Sequence, residues 1–330
     1  MESKLNWGIL GTATIAKNQI IPAIKNSKYG NLSAIASRNI NEAKKVSIEY
    51  DIQKYYGSYE ELLSDKEINA IYIPLPNHLH ISYAIKSLEN GKNVLVEKPI
   101  GLNSSEVKEL IKTSKRFPKL KIMEAFMYRF HPQWIKTKEI IQRGEIGKLK
   151  LIQSSFSFFD DNPSSIVNKK EFGGGSLMDI GCYPVSLSNF IFGNLPKTIY
   201  ATNELHSKFN IDISTTCILE YENGLSQFFS SIQMEEHQNV KIFGTEGMIE
   251  FELPFNPHKD EISQIFLTKN NIKQKIEFDI CDQYEIQIDH FSEAVLKNKS
   301  LPITLVDSLN NMIVIDKIFE SAKSGKRIFL

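Results

Sequence analysis

The stretch Asn93-Val94-Leu95-Val96-Glu97-Lys98-Pro99 decides the fold of this chain. Its apolar run, Val94–Val96, is typical of a parallel strand that is buried on both faces. The strand then ends in an acid, a lysine and a proline. A lysine there loses hydration unless a partner compensates it, and Pro99 stops the ladder in a turn that suits a cis peptide bond. An ordinary strand exit is the alternative, but ligands of open α/β sheets bind at such carboxyl ends, so we expect a site here.

Composition indicates a globular protein with two cores. The chain has 330 residues, of which 42% are hydrophobic and 24% charged, and its 39 basic and 39 acidic residues balance. Zero net charge favours neither nucleic acid nor an anionic membrane as a partner. The only apolar N-terminal run, Trp7–Leu10, is too short for a signal peptide or a membrane span. Cys182, Cys217 and Cys281 lack metal-site spacing, which predicts no metal and a reducing, cytoplasmic location.

A glycine-rich turn, Gly11-Thr12-Ala13-Thr14-Ile15-Ala16, follows the first predicted strand, Leu5–Leu10. A strand, turn and helix in this order bind the pyrophosphate of a dinucleotide on backbone N–H groups. Gly11 makes the tight turn, Ala13 lets the backbone approach the pyrophosphate, and Ala16 permits close helix packing. Because alanine replaces the second and third glycines, the motif is weak by itself.

The residues after the second predicted strand, Asn31–Ala36, indicate which dinucleotide binds. Enzymes that use NAD place an acid here for the ribose 2′-hydroxyl. This chain has Ser37 and Arg38 instead. A hydroxyl and a guanidinium bind a 2′-phosphate, which a carboxylate would repel. A solvated loop arginine is the alternative, but together with the upstream turn the pair favours NADP(H) over NAD(H).

Alternating strands and helices predict a Rossmann domain over residues 1–124, with a doubly wound parallel sheet. The expected strands are 5–10, 31–36, 70–73, 93–97 and 120–124. The expected helices are one that follows the glycine-rich turn as far as residue 24, then 41–50 and 59–63, one that runs on to residue 89, and 104–116. The pattern changes after residue 124. Strand-like runs then alternate with hairpin signals such as Asn223-Gly224.

These later runs predict an α+β domain over residues 125–330, with a large, mostly antiparallel, open-faced sheet. The expected strands are 148–159, 196–206, 211–221, 225–234, 239–243, 247–252, 262–268 and 272–279, and the expected helices are 133–143, 283–297 and 304–324.

A second glycine-rich segment is Gly173–Tyr183. Its three glycines lead into a predicted helix that carries Asp179 and Tyr183 at positions i and i+4, hence on one face. A flexible loop with a capped, half-buried helix is the alternative. A tyrosine beside a lysine is a plausible proton relay, because the ammonium lowers the phenol pKa from about 10 toward working pH. Hydride transfer to or from an alcohol carbon needs such a group.

Two histidines, His78 and His80, lie in Pro76–His80 after the strand 70–73. They are two residues apart and so do not share a helix face. Packing or a hydrogen bond is therefore expected of both, rather than metal binding.

Taken together, these residues resemble the Gfo/Idh/MocA oxidoreductases over nearly the full length. The matching stretches are 7–13 (WGILGTA), 76–80 (PNHLH), 97–99 (EKP), 123–132 (MEAFMYRFHP), 173–184 (GGGSLMDIGCYP) and 321–325 (SAKSG). Within the family, the chain resembles most the branch of NADP-dependent D-xylose and glucose dehydrogenases, dihydrodiol dehydrogenases and glucose–fructose oxidoreductase. That branch tends to have a tyrosine at the position of Tyr183 and often has a serine–arginine pair like Ser37-Arg38. The segment 253–260 departs from the family pattern, which leaves its role open.

The resemblance implies roles for individual residues. Lys98 would hydrogen-bond the reacting oxygen and tune Tyr183, Tyr183 would give or take the proton, and Asp179 would accept a substrate hydroxyl. Arg129 would contact the cofactor or substrate, with a structural salt bridge as an equal alternative. The implied cofactor-binding residues are Gly11, Thr12, Ala13, Thr14, Ile15, Ser37, Arg38, Leu75, Pro76, Asn77, His80, Glu97, Lys98 and Arg129. Phe126, Met127, Phe156 and Phe158 are expected in the core or as pocket lining.

The expected activity is that of an NADP(H)-dependent oxidoreductase acting on a ring carbon of a sugar or polyol, similar to an aldose 1-dehydrogenase. A nucleotide-sugar 3-ketoreductase or dehydrogenase is one alternative. A non-enzymatic, NADP-sensing regulator is another, and the intact Lys98, Asp179 and Tyr183 argue against it. The resemblance also implies a homodimer or homotetramer formed through the open sheet face. The sequence determines neither the sugar nor the direction of the reaction.

Overall fold

Six parallel strands form the first sheet of the protein, in a computed structural model that describes residues 4–330. They are β1 (Leu5–Leu10), β2 (Gly30–Ala36), β3 (Lys54–Tyr56), β4 (Ala70–Ile73), β5 (Asn93–Val96) and β6 (Ile122–Glu124). The order across the sheet is β3-β2-β1-β4-β5-β6, and every neighbouring pair is parallel. The doubly wound parallel sheet is confirmed. Only β3 escaped prediction, because its three residues, Lys-Tyr-Tyr, contain no apolar run.

A second sheet of nine strands is built from the later part of the chain. Its strands are β7 (Leu149–Phe159), β8 (Thr198–Leu205), β9 (Asp212–Tyr221), β10 (Gly224–Ser231), β11 (Gln233–Gly244), β12 (Gly247–Phe251), β13 (Ser263–Lys269), β14 (Ile272–Phe278) and β15 (Ile328–Phe329). The order is β14-β13-β12-β11-β7-β10-β9-β8-β15. All pairs are antiparallel except β7 with β10. The mostly antiparallel sheet is therefore confirmed, and β15, with two residues, was not predicted.

Helices occupy the positions that the sequence pattern indicated. They are α1 (Ile21–Asn26), α2 (Ile40–Glu49), α3 (Tyr59–Ser64), α4 (Asn77–Glu89), α5 (Ser104–Ser114), α6 (Pro132–Gln142), α7 (Cys182–Phe192), α8 (Gln283–Leu296) and α9 (Leu305–Ser324). Side chains that accept a backbone N–H bond begin several of them, including Asn39, Ser58, Asn103 and Asp282. Such N-caps satisfy donors that the first turn leaves without partners.

The chain divides into two compact units. The first comprises Met1–Met127 and Asp282–Leu309, and the second comprises Tyr128–Cys281 and Asn310–Leu330. The sequence had assigned residues 282–309 to the second domain, whereas the structure packs α8 on α1, β1 and β2 of the first unit. Trp7 decides this packing: its ring lies 5.2 Å from that of Phe291, and its Nε1 donates to Ser292 Oγ at 3.1 Å.

Within residues 4–330, no helix combines the length and the apolar character that crossing a bilayer requires.

Candidate active site

The carboxyl ends of β1 and β4 meet where the strand order of the first sheet reverses. From β1 the chain builds β2 and β3 on one side, then β4, β5 and β6 on the other. Such a switch point is the crevice in which open α/β sheets bind ligands. Gly11 leaves β1 with φ of 109°, and a Cβ on it would come 3.2 Å from Leu75 Cδ2. Glycine therefore suits this turn both in conformation and in space.

The rest of the glycine-rich turn is open on one side. Thr12 and Ala13 are half-buried, Thr14 is exposed and Ala16 is fully buried. The predicted helix begins as a π-helical turn, Ala16–Ile20, and continues as α1. Small side chains at an open turn fit the close approach of a pyrophosphate, so these residues suit a dinucleotide.

Ser37 and Arg38 lie at the end of β2, beside the same turn. The Ser37 N–H donates to Tyr56 O of β3 at 3.1 Å, and its Oγ accepts from the Asn39 N–H at 3.2 Å. Burial raises the pKa of the Tyr59 phenol, and its hydrogen bond and electrostatic interaction with Arg38 oppose this. The Tyr59 hydroxyl is also 3.8 Å from the position of a Gly11 Cβ. Tyr59 thus connects Arg38 to the turn, a contact between distant positions that no local pattern revealed.

His80 bridges the loops that follow β4 and β5. Its Nε2 lies 2.6 Å from Leu75 O and its Nδ1 lies 2.8 Å from Pro99 O, and the side chain is buried. Burial lowers the pKa of His80 to about 4, although both carbonyls favour the protonated ring. Among the implied cofactor residues His80 is therefore different, because its ring nitrogens are used by the protein's own backbone. The hydrogen-bonding role expected of it from spacing agrees with this.

The loop after β5 carries Lys98. The Lys98–Pro99 peptide bond is cis, as the sequence suggested. Beyond it, the Ile100 N–H donates to Glu124 Oε1 at 2.9 Å, and Glu124 is 1% exposed. A buried carboxylate that accepts a main-chain N–H fixes the path of the loop. Lys98 itself is half-buried.

Glu97 is held between neighbouring groups of the first unit. Its Oε1 accepts from the Tyr72 hydroxyl, and its Oε2 accepts from the Lys98 N–H at 3.2 Å. Burial, and then the charge of Glu97, raise the pKa of the Tyr284 phenol, while Lys98 acts in the opposite direction. Tyr284, from the start of α8, therefore belongs to the surroundings of Lys98. The sequence did not indicate it, because α8 is distant in the chain.

In the second unit, Gly173–Gly175 lead into the helix that was predicted to carry Asp179 and Tyr183. It begins as a π-helical turn, Leu177–Gly181, and continues as α7. Asp179 is half-buried, and Tyr183 is 5% exposed.

Aromatic rings surround Tyr183. Its ring centroid is 5.2 Å from that of Phe255, 5.6 Å from Phe156 and 6.0 Å from Tyr128. Each such pair adds about 0.5–1.5 kcal/mol beyond the apolar area that it buries. We call Tyr128, Phe156, Tyr183 and Phe255 the aromatic cluster.

The segment 253–260, whose role the sequence left open, supplies Phe255. Trp134 Nε1 donates to Pro254 O at 2.6 Å, and Gln133 Nε2 donates to Leu253 O and Pro254 O at 3.1 Å each. These bonds from the start of α6 hold the segment so that Phe255 is fully buried. The segment is thus structural support for the aromatic cluster.

The remaining predicted residues lie in different surroundings. The Arg129 guanidinium lies 4.4 Å from the Phe190 ring centroid within the second unit. Phe126 and Met127 are buried, while Phe158 is partly exposed. Among residues 4–330, no three His, Cys, Asp or Glu side chains are grouped so that they could hold a metal ion.

Comparison with known proteins agrees with this arrangement. Residues 5–124 match the model of the GFO_IDH_MocA oxidoreductase family, NAD-binding Rossmann fold, and residues 134–250 match the GFO/IDH/MocA C-terminal domain. The uncharacterized oxidoreductase ORF334 of Rhizobium meliloti is 38% identical over 97% of this chain and 98% of its own. This chain belongs to the Gfo/Idh/MocA family. It is an oxidoreductase with a nicotinamide-dinucleotide-binding Rossmann unit.

A second curated relative and a solved structure are also similar to this chain. D-xylose 1-dehydrogenase (NADP(+)) 2 of Haloferax volcanii is 33% identical over 98% of this chain and 99% of its own. The crystal structure of an aldose–aldose oxidoreductase from Caulobacter crescentus superimposes with a TM-score of 0.92 at 21% identity, covering 99% of this chain and 100% of that one. At that identity the second match supports the fold alone.

Proposed function

We propose that this member of the Gfo/Idh/MocA family uses NADP(H) to transfer a hydride to or from a ring carbon of a sugar or polyol. Tyr183 is the group that gives or takes the hydroxyl proton, and Lys98 tunes it. The observation that carries the proposal is the placement of Tyr183. It lies on a helix one turn after Asp179, and its ring contacts the other three rings of the aromatic cluster. A buried phenol is protected from competing exchange with bulk water.

The preference for NADP(H) rests on the first unit. Ser37 and Arg38 occupy the position where a carboxylate would repel a 2′-phosphate, and Tyr59 connects Arg38 to the Gly11 turn. The name of the 33% identical relative specifies NADP(+). A guanidinium binds a phosphate through charge-assisted hydrogen bonds, which are stronger than those to a ribose hydroxyl.

The chemistry divides among residues of the chain. The nicotinamide supplies or accepts the hydride. Lys98 stabilises negative charge on the reacting oxygen and on the Tyr183 phenolate, so that the phenol can lose its proton near neutral pH. Asp179 accepts a hydrogen bond from a substrate hydroxyl and so orients the ring. Pyranose or furanose hydroxyls fit this set, and D-xylose, named in the relative, is the first substrate to test.

The cofactor part of the proposal is tested by fluorescence titration with NADPH and NADH. Wild type should bind NADPH more tightly. Arg38→Ala should weaken NADPH binding about 10- to 100-fold, the worth of hydrogen bonds to a charged group, and change NADH binding little. Tighter binding of NADH by wild type would contradict the role of Ser37 and Arg38.

The reaction is tested with a panel of free sugars, nucleotide sugars and polyols. Tyr183→Phe should lower turnover about 100-fold or more and leave NADPH affinity unchanged. Tyr221→Phe is the matched control, because its buried hydroxyl donates to Asn189 Oδ1 at 2.9 Å, near the far end of α7. If only nucleotide sugars were turned over, the substrate would be a nucleotide sugar and not a free sugar or polyol. NADPH binding without any turnover would favour the sensing regulator.

We also propose that the second sheet's open face joins copies of the chain into a homodimer or homotetramer. Sedimentation velocity on the purified protein tests this, and a monomer at micromolar concentration would contradict it.

A further inference from the structure

Asp212 places a carboxylate in the interior of the second unit, beside the helix of Tyr183. It is the first residue of β9 and is 3% exposed. Its Oδ2 accepts from Ser176 Oγ at 2.7 Å, from the Leu177 N–H at 2.8 Å and from Thr215 Oγ1 at 2.8 Å. Two of these donors belong to the first residues of the helix that carries Asp179 and Tyr183.

Gly175 makes this contact sterically possible. It has φ of 111°, a conformation that L side chains rarely adopt. A Cβ on Gly175 would also overlap Asp212 Oδ1. The third glycine of the segment therefore lets the carboxylate reach the main chain at the point where the helix begins.

Ser230 of β10 makes a second contact with the helix, at Gly181, about one turn after Leu177. A Cβ on Gly181 would come 2.8 Å from Ser230 Oγ, and the same hydroxyl lies 3.2 Å from Ser176 Oγ. The helix therefore packs closely on the sheet at Gly181 and is hydrogen-bonded to it at Ser176. Asp179 lies between these two positions, and Tyr183 is two residues after Gly181.

Burying a carboxylate is unfavourable, so a merely stabilising role explains Asp212 poorly. Burial raises the pKa of Asp212, while hydrogen bonds from Ser176, Leu177 and Thr215 oppose that rise. A buried carboxyl group of this kind contributes little net stability, but its hydrogen bonds define a direction that apolar packing would leave adjustable.

We propose that Asp212 is a positioning residue: through Ser176 and Leu177 it sets the start of the helix, and thereby the place of the Tyr183 hydroxyl relative to substrate. This inference rests on the function proposed above, because it acts through Tyr183. It assigns no contact with substrate or cofactor to Asp212.

The test is a double-mutant cycle of Asp212→Asn and Tyr183→Phe, read as kcat per folded enzyme. In the wild-type background Asp212→Asn should lower kcat about 10- to 100-fold, since small misplacements of a reacting group have effects of this size. NADPH affinity should not change, because Asp212 lies in the second unit, whereas Ser37, Arg38 and the Gly11 turn lie in the first. In the Tyr183→Phe background, Asp212→Asn should have no further effect on kcat.

A merely structural Asp212 would give the same fold-change in both backgrounds, and that result would overturn the proposal. Wild-type kcat in Asp212→Asn would overturn it as well, while leaving the proposed function intact. If Tyr183→Phe alone kept wild-type kcat, the proposed role of Tyr183 would be wrong, and the positioning role of Asp212 would be wrong as a consequence. Failure of the proposed function is therefore distinguishable from failure of the Asp212 proposal alone.

A milder pair of variants covers the case in which Asp212→Asn does not fold. Ser176→Ala removes one hydroxyl that donates to Asp212, and Ser188→Ala removes an equally buried hydroxyl, bonded to Ser226 Oγ at 2.7 Å near the other end of α7. Ser176→Ala should lower kcat several-fold, and its effect should vanish in the Tyr183→Phe background. Ser188→Ala should leave kcat unchanged. Equal kcat values in the two serine variants would overturn the proposal.

Discussion

The two units position their candidate catalytic residues, Lys98 in the first and Tyr183 in the second, by different kinds of contact. In the first unit, the loop of Lys98 is tied through its main chain to two buried polar side chains, His80 and Glu124. In the second unit, Tyr183 is enclosed by the rings of the aromatic cluster. Hydrogen bonds to backbone groups specify direction, whereas ring contacts mainly specify volume, and apolar packing tolerates rearrangement better than it tolerates a cavity. The position of Lys98 should therefore depend mainly on hydrogen bonds, and that of Tyr183 mainly on packing.

The largest expected effect comes from removing a ring in each unit. Phe255→Ala and Phe291→Ala both truncate a fully buried phenylalanine, and each should destabilise its own unit by about 3–5 kcal/mol. Urea denaturation measures this loss. Only Phe255→Ala should also lower kcat of the folded protein, because Phe255 packs on Tyr183 whereas Phe291 packs on Trp7. An equal loss of kcat in both variants would contradict the assignment of Phe255 to the aromatic cluster.

The next effect concerns the two buried histidines. A neutral His80 ring has one N–H and donates it to one of the carbonyls of Leu75 and Pro99. His80→Phe leaves that carbonyl without its donor, and an unpaired buried polar group costs about 1–3 kcal/mol. NADPH affinity, measured by fluorescence titration, should fall about 10-fold. His131→Phe is the matched control: His131 Nδ1 accepts from the Gln133 N–H at 3.2 Å at the start of α6, so that variant should lose stability but keep NADPH affinity. Unchanged affinity in both variants would remove the bridging role from His80.

The same two histidines should also make the free energy of unfolding depend on pH. Burial lowers the pKa of both His80 and His131 to about 4. In the unfolded chain each takes up a proton as the pH falls through about 6.5, whereas the folded protein resists until about 4. Stability should therefore be fully present above pH 6.5 and decline between 6.5 and 4, by about 1.4 kcal/mol per pH unit for each histidine.

Denaturation midpoints at pH 7, 6 and 5 measure this decline, and the slope should become shallower in each phenylalanine variant. The ring nitrogens of His80, observed by NMR, give an independent check, since they should show a neutral imidazole at pH 7. A protonated ring at pH 7 would mean that the two carbonyls outweigh burial, and the slope assigned to His80 would then be absent.

The smallest effect should come from Tyr72→Phe. This change removes one hydroxyl that donates to Glu97 and keeps the ring. The expected loss is about 1 kcal/mol of stability in the first unit, with NADPH affinity within about threefold of wild type. A loss of affinity as large as that of His80→Phe would show that Glu97, rather than the main chain of the loop, governs this edge of the sheet.

Much of the first unit was predictable because its determinants are local. The strands Leu5–Leu10 and Ala70–Ile73 agree with prediction to the residue, since continuous apolar runs bounded by turns identify buried parallel strands. The parallel order then places Gly11, Leu75 and Lys98 at one edge without further information. Tyr59 and Tyr284 were not predicted, because each reaches this edge from a helix whose pattern reports only its own buried face.

In the second unit, the important contacts join distant parts of the chain, and less could be predicted from the sequence. Most of its strands were predicted, but β15, the first half of β11 and the parallel pairing of β7 with β10 were not, since alternation in one strand does not indicate its neighbour. Phe255 came from a segment with no recognised pattern, and Asp212 was one acidic residue at the start of an ordinary strand. Their importance depends on contacts with Tyr183 and Leu177 that join distant parts of the chain.

The sequence by itself determined the Rossmann sheet, the membership of the oxidoreductase family and the identity of Lys98, Asp179 and Tyr183 as candidates, because periodicity and short motifs are local properties. Only the tertiary structure decided that α8 belongs to the first unit, that His80 bridges two loops, and that Phe255 and Asp212 support the helix of Tyr183. The physical reason is that packing and hydrogen bonding join residues far apart in the chain, and no single segment contains both partners of such a contact.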